Sequence, residues 1–440
     1  RSAIQVSLYS VPYFAIPSGY CSNRKPQFEL ENPLQRLRRD LFKSLPGFRE
    51  PCIFTMKIER IETFLIECPI DEPFGWSMGW TDKRGSLITK ITTDDGVVGW
   101  GEGGGSPSQT VIHDCFAPLL VGEDPLNINR LWHRLFQNLH NDNLTGGFGG
   151  GALSGVDIAL WDIAGKVSGK SISEMLGGAV RDKVAVYATG LYYQDDEFPT
   201  KLIAEAEAYV EAGYAGMKTK VGGLSVADDV KRVQAIRDAI GDDVYLMIDA
   251  NKAYSARTAI DVGRRLEDLN IHWFEEPVLA NDVDGYLEVK SNQPIPVAGG
   301  EVLYNRFDAR DFISRCALDI IQPDIRYIGG ITEFRNVAAM ANANGIQVNP
   351  HVWGSAIMVS ASISLTATFA LCPYSRSPNP YEQEPVMEFD QTPNPIRNEL
   401  ASIAFGQSGG FVDVPRGVGL GIEIDLAALE RFCLRHFSSK

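Results

Sequence analysis

The sequence is short of several things, and each shortage excludes a class of protein. It has no uninterrupted apolar run of about 18 residues, the length that a membrane-spanning helix needs. It is short of basic charge: 41 Lys and Arg stand against 56 Asp and Glu, a net charge of −15. That balance argues against general affinity for nucleic acid or for an anionic membrane surface. It does not forbid an anionic substrate, because a few lysines and a metal ion can reverse the field locally. Cysteine is sparse and badly spaced for cross-linking. Cys21, Cys52, Cys68, Cys115, Cys316, Cys372 and Cys433 are odd in number and form no C-x-x-C pair. Free thiols in a reducing, cytoplasmic compartment fit this better than a disulfide framework.

The 440 residues are 44% hydrophobic and 22% charged, ordinary for a globular chain of two or three domains. Residues 1–55 read differently from the rest. They scatter Pro12, Pro17, Gly19, Pro26 and Pro33 ahead of a basic patch, RLRRDLFK. Pro12 and Pro17 interrupt any secretory core, and Glu29, Glu31 and Asp40 speak against a targeting peptide. The expectation is a poorly ordered extension, with Met56 as an older start.

From Lys57, KIERIETFLIECPI and SLITKITTDDGVVGWGEGG alternate apolar residues around an Asp-Asp-Gly turn, which predicts an antiparallel hairpin. DEPFGWSMGWTDKRG between them reads as an aromatic loop. It suits a lid over a ligand, with Trp76 as a contact; the plainer alternative is that Phe74, Trp76 and Trp80 cover the hairpin. Helical spacing follows over residues 109–140. GGFGGGALSG resembles a phosphate loop but has no GKS/T and no strand before it, so a hinge or loop leading into a helix is expected. Residues 57–180 are therefore read as an α+β capping domain.

From Lys183 strand-like runs alternate with amphipathic helices, which predicts parallel strands. Polar residues stand at the strand ends: Lys218 and Lys220, Asp249, Glu275, Glu301, Asp324, His351 and Glu388. The gaps counted from Lys220 are 29, 26, 26, 23, 27 and 37 residues. Groups at every strand tip predict a barrel, whose sites gather at the C-terminal ends. An open sheet would place its ligand at one switch point.

Asp249, Glu275 and Glu301 are three carboxylates on consecutive tips. They repel one another unless a cation neutralises them, and Mg²⁺, with Mn²⁺ as a substitute, suits hard oxygen ligands. Lys218 and Lys220 share one face of a strand, and two adjacent ammonium groups depress each other's pKa, favouring a neutral lysine base. Asp324 orients His351 and raises its basicity, making a second acid or base. Glu388, if protonated, donates a hydrogen bond to developing charge. Asn251 faces the same way as Asp249, towards substrate, and Lys218 is also placed among the substrate contacts. A carboxylate on the metal acquires an acidic α-proton, which Lys220 or His351 removes. Reprotonation then gives racemisation, and loss of a β-leaving group gives elimination.

These residues carry a resemblance to the enolase superfamily, mandelate racemase subgroup, over roughly residues 57–430. The K-x-K of Lys218 and Lys220, the Asp249–Glu275–Glu301 set and the Asp324–His351 dyad match its pattern; a Lys or His base with Mg²⁺ is a known enolase-superfamily arrangement. The resemblance implies an α/β fold, a modified TIM barrel (β/α)7β over residues 181–400. The α+β cap would be completed by about residues 405–435. SGVDIALWDIAGK, LMIDANKAY, WFEEPV, NPHVWG and VMEFDQTPNP are similar to members that open a sugar-diacid lactone. They imply a small acid sugar or its lactone as substrate, and a homo-oligomer, from dimer to octamer. Dehydration of an open aldarate or aldonate is the runner-up, a racemase or epimerase the third, and a non-catalytic protein of this fold the alternative of a different class. Lys252 departs from the family pattern and is expected to point outward by strand alternation.

Overall fold

The computed structural model describes residues 56–440 except Glu197 and Ala404. The expected extension, residues 1–55, lies outside the described residues. The described residues open with a long hairpin, β1 (Ile58–Trp76) and β2 (Gly79–Thr93), and continue into β3 (Val98–Glu102). Ile61 faces Ile91 and Leu65 faces Leu87 across the first pair. The β2–β3 turn falls on Asp94, Asp95 and Gly96, where Gly96 holds φ at 89°. DEPFGWSMGWTDKRG is not a loop: both strands run on through it, with a register shift after Pro69, and only Ser77 and Met78 turn. Trp76 and Trp80 thereby sit on strands near a hairpin tip.

The glycine-rich run is not a hinge either. It forms the first turns of the helix Gly147–Ser168, in which residues 149–165 are all buried. This helix lies so close to β3 that Gly99, Gly101 and Gly103 leave no room for a Cβ against it.

Eight parallel strands follow: β4 (Lys183–Thr189), β5 (Gly216–Lys220), β6 (Tyr245–Asp249), β7 (Ile271–Glu275), β8 (Val297–Gly299), β9 (Ile320–Ile321), β10 (Gln347–Val348) and β11 (Val386–Asp390). Seven helices alternate with them, from Thr200–Glu211 to Ala356–Thr366. Several are capped by the side chain before their first turn: Ser225, Ser255, Asp282, Asn305 and Ser355 each accept a backbone N–H. The strand order is β10-β9-β8-β7-β6-β5-β4-β11. Asn349 Oδ1 accepts from Val386 N (3.0 Å), linking the chain just after β10 to β11. This is the modified (β/α)7β barrel with an antiparallel cap.

Alternation divides each barrel strand. Met217, Leu246, Ile248 and Phe274 face the helices, whereas Tyr187, Met247, Trp273, Ala298 and Ile320 meet inside. Tyr187 and Trp273 pack edge to face at 5.2 Å. This plug fills the barrel and forms the floor of the site.

The chain then returns to its start. β12 (Phe411–Asp413) pairs antiparallel with β4, and the helix Leu426–Phe432 leads into β13 (Cys433–Ser439), which pairs antiparallel with β1. The cap sheet thus runs β13-β1-β2-β3. Among the described residues no helix is long and apolar enough to cross a membrane.

Candidate active site

The strand tips bring the expected residues to one place. Register pairs Lys220 with Asp249 and Asp249 with Glu275. Lys220 Nζ donates to Asp249 Oδ2 at 2.5 Å. Lys218 Nζ lies 2.7 Å from Glu275 Oε1 and 3.0 Å from Glu388 Oε1. Glu275 Oε2 accepts from Trp273 Nε1 (3.1 Å) and Gln322 Nε2 (2.7 Å). Glu388 also accepts from Thr189 Oγ1 and from the Val352 backbone, each at 2.8 Å. His351 Nδ1 stands 2.8 Å from Asp324 Oδ2, and its Nε2 is 3.3 Å from Glu301 Oε2.

Above them is a cavity of about 950 Å³. Lys220, Asn251, Lys252, Glu301, Asp324, Arg326, His351 and Glu388 form its barrel side, and Ile66, Trp76, Met78 and Ser86 its cap side. Tyr192, Tyr304, Tyr327 and Trp353 complete the wall. Lys218, Asp249 and Glu275 do not reach this wall; they are 1% exposed and lie beneath it.

Three electrostatic expectations change. Neither lysine is driven towards neutrality. Burial alone would lower both, but Glu275 and Glu388 beside Lys218, and Asp249 beside Lys220, outweigh it and raise their pKa values. Glu388, expected to donate if protonated, is drawn towards its ionised form: against the upward push of burial, Lys218, His351 and Lys220 bring it down to about 2. Lys252 does not point outward. Asn251 and Lys252 hold φ at 42° and 72°, so the extended alternation has already ended. The Lys252 ammonium lies 2.8 Å from Glu276 Oε2 and 2.9 Å from Glu301 Oε1.

His351 is lifted to about 9, because Glu388, Glu301 and Asp324 overcome the burial that would lower it. Asp324 is held below its usual range despite burial by Arg326 and His351. Arg326 escaped the sequence reading. Its Nη2 lies 2.9 Å from Asp324 Oδ2, so the dyad is a chain of three groups. The available signal was its place two residues after Asp324.

Among the described residues no three His, Cys, Asp or Glu side chains are arranged to hold a metal ion. Lysine ammonium groups take oxygens of Asp249, Glu275 and Glu301 instead. The donor set still suits a hard divalent cation. It offers carboxylate oxygens from three successive strands, and beside them the buried Asn251 Oδ1, which has no hydrogen-bond partner.

Two family descriptions match the chain: "Mandelate racemase / muconate lactonizing enzyme, N-terminal domain" over residues 60–177, and "Enolase C-terminal domain-like" over residues 201–428. D-galactarolactone cycloisomerase of Agrobacterium fabrum is 40% identical over 381 residues, which is 86% of this chain and 99% of that protein. The crystal structure of the 3,6-anhydro-D-galactonate cycloisomerase from Zobellia galactanivorans is 36% identical, with a TM-score of 0.77, covering 86% of this chain and 100% of that one. L-talarate/galactarate dehydratase from Salmonella typhimurium LT2, liganded with Mg and L-lyxarohydroxamate, is 27% identical, with a TM-score of 0.77 over 90% of this chain and 97% of that one.

Proposed function

The chain belongs to the mandelate racemase/muconate lactonizing enzyme family of the enolase superfamily, and from that premise we propose the reaction it performs. It removes the α-proton of a sugar-acid carboxylate and expels a β-oxygen. The substrate is D-galactaro-1,4-lactone or a related aldarolactone, opened to a 3-deoxy-2-keto-hexarate. The single observation that carries this reading is that Lys220 and the Asp324–His351 pair line one cavity. Lys220 ends β5, whereas Asp324 and His351 follow β9 and β10, four and five places away in the strand order. The 40% identity to a lactone-opening relative supports the choice of substrate.

Asp249, Glu275 and Glu301 would hold Mg²⁺, or Mn²⁺ in its place, and the cation would polarise the substrate carboxylate and make its α-proton more acidic. The remaining work falls to the chain. Lys220 and His351 stand where they can address the two faces of the α-carbon. With Asp249 and Glu301 engaged by the cation, Lys220 and His351 would lose carboxylate charge that raises them; the one left neutral takes the proton, and the C–H electron pair becomes the bond between the α- and β-carbons. The ring oxygen leaves the β-carbon as a carboxylate, which needs little acid assistance. The resulting enol takes a proton at the β-carbon as its hydroxyl becomes the ketone. Asp324 keeps the His351 ring oriented, and Glu388, ionised, holds Lys218 between the floor and the cavity. Trp76, Tyr192 and Trp353 exclude water from the rim.

The test is incubation with Mg²⁺ and a panel of aldarolactones and open acid sugars in D₂O, followed by NMR. Lactone opening with deuterium at the new methylene supports the proposal, and keto-acid formed from open acids alone overturns it. The second outcome is the dehydratase reading, favoured by the likeness to L-talarate/galactarate dehydratase. Lys220→Ala and His351→Ala should each lower turnover by at least about 10²-fold while Mg²⁺ binding persists. Full activity in both would remove the two-base reading. The reading also places the enzyme in the cytoplasm as a homo-oligomer. The described cysteines, Cys68, Cys115, Cys316, Cys372 and Cys433, are free, and Met78 and Trp80 at the hairpin tip expose apolar surface. Sedimentation of the purified chain checks the assembly.

A further inference from the structure

One corner of the cavity is built with more constraint than proton transfer needs. Three non-glycine residues there hold positive φ: Asn251 (42°), Lys252 (72°) and Glu276 (41°). L side chains adopt this region rarely and at a cost, so such residues persist only where their surroundings over-determine them. The turns bring two backbones together, and Lys252 N donates to Glu276 O at 2.8 Å. The side chains then meet again, Lys252 Nζ lying 2.8 Å from Glu276 Oε2. Glu276 is fully enclosed and does not face the cavity. The same ammonium donates to Glu301 Oε1 at 2.9 Å. The other oxygen of Glu301 is turned towards His351.

A carboxylate gripped from behind through one oxygen presents the other in a fixed direction. We infer that Lys252, anchored on Glu276, is a positioning residue that fixes the Glu301 carboxylate for the divalent cation. The inference rests on reading Glu301 as a metal ligand. Groups that hydrogen-bond a ligand in this way usually set metal affinity within a factor of about 10–100. The rival physical reading is that the ammonium merely fills the cation's place and is displaced when the ion arrives. The two readings differ in sign: removing a positioning group weakens metal binding, whereas removing a competing charge strengthens it.

The test is calorimetric titration of the metal-free full chain with Mg²⁺, on the parent, Lys252→Met, Lys252→Arg and Glu276→Gln. Lys252→Met should bind Mg²⁺ about 10–100-fold more weakly, with circular dichroism unchanged, and Lys252→Arg should recover most of the loss. Glu276→Gln, which replaces the anchoring carboxyl and keeps its volume, should weaken binding in the same direction; it decides the matter if Lys252→Met does not fold. Unchanged or tighter binding in the folded variants overturns the inference and leaves Glu301 as a ligand. A parent protein that takes up no Mg²⁺ overturns both.

Discussion

Asp157 shows how one buried carboxyl sets a pH response far from the chemistry. It sits on the helix Gly147–Ser168, 1% exposed, and accepts from Thr332 N (3.0 Å) and Thr332 Oγ1 (2.6 Å). Burial pushes it up to about 7, more than the Thr332 hydrogen bonds pull it down. The folded chain therefore keeps this proton over a range where the unfolded chain has lost it. Stability from this group is full below about pH 4 and falls as pH rises to about 7. Three pKa units correspond to roughly 4 kcal/mol. Calorimetric melting across that window should show a shallower decline for Asp157→Asn than for the parent, and parallel curves would refute the assignment. Sequence spacing could locate the ring of strand-tip residues because each member ends a short apolar run at a regular interval. It could not assign their charges. Considering Lys218 and Lys220 as a pair omitted the carboxylates on the neighbouring strands, which decide the outcome. Lys252 was misplaced for a different reason: the alternation rule holds only for extended backbone, and positive φ at Asn251 and Lys252 is not written in residue types other than glycine.

Among the elements, the meeting of β3 with the helix Gly147–Ser168 shows what composition conceals. Gly99, Gly101 and Gly103 recur every second residue and so share one face of the strand. Opposite them Gly151, Gly155 and Ala159 recur every fourth residue and share one face of the helix. A Cβ on Gly101 would lie 1.9 Å from Gly155 O, and one on Gly99 2.1 Å from Ala159 O. Both obstacles are backbone, which cannot swing aside. Gly101→Ala should therefore cost about 3 kcal/mol or more, read as a lowered denaturation midpoint, and an unchanged midpoint would contradict the packing. Glycine is a poor helix former, so the run from Gly146 to Gly151 reads as a loop until the strand beneath it is known. Tertiary contact overrides local preference here. The barrel strands were legible because their apolar runs are short, β-branched and evenly interrupted. The hairpin tip was not, because Gly75 and Gly79, each followed by a tryptophan, imitate a loop.

In the molecule as a whole, the cap is fastened to the barrel at several points around the cavity. Gly75 and Tyr193 exchange backbone hydrogen bonds of 2.7 and 3.0 Å, and Ser77 Oγ donates to Ala250 O at 2.8 Å. Arg84 on β2 pairs with Asp390 at the end of β11 and stacks 4.0 Å over the ring of Trp353. All three fastenings join segments far apart in the chain. The same holds for the cap sheet itself, where Ile61 lies beside Ser439 and Phe64 beside His436. On the ribosome this pairing imposes an order in time. β1 is among the first described segments to emerge, yet one of its edges waits for almost the whole chain to be translated. The barrel can close before the cap sheet is complete, so an arrested chain that stops at Phe432 should hold a protease-resistant barrel behind a cleavable hairpin. A hairpin equally resistant in that truncated chain would show that β1 does not wait for its last partner. Until release, the strand that ends at the rim of the site carries an open edge, and the crowded interval of synthesis is when this protein is most exposed to pairing with the wrong neighbour.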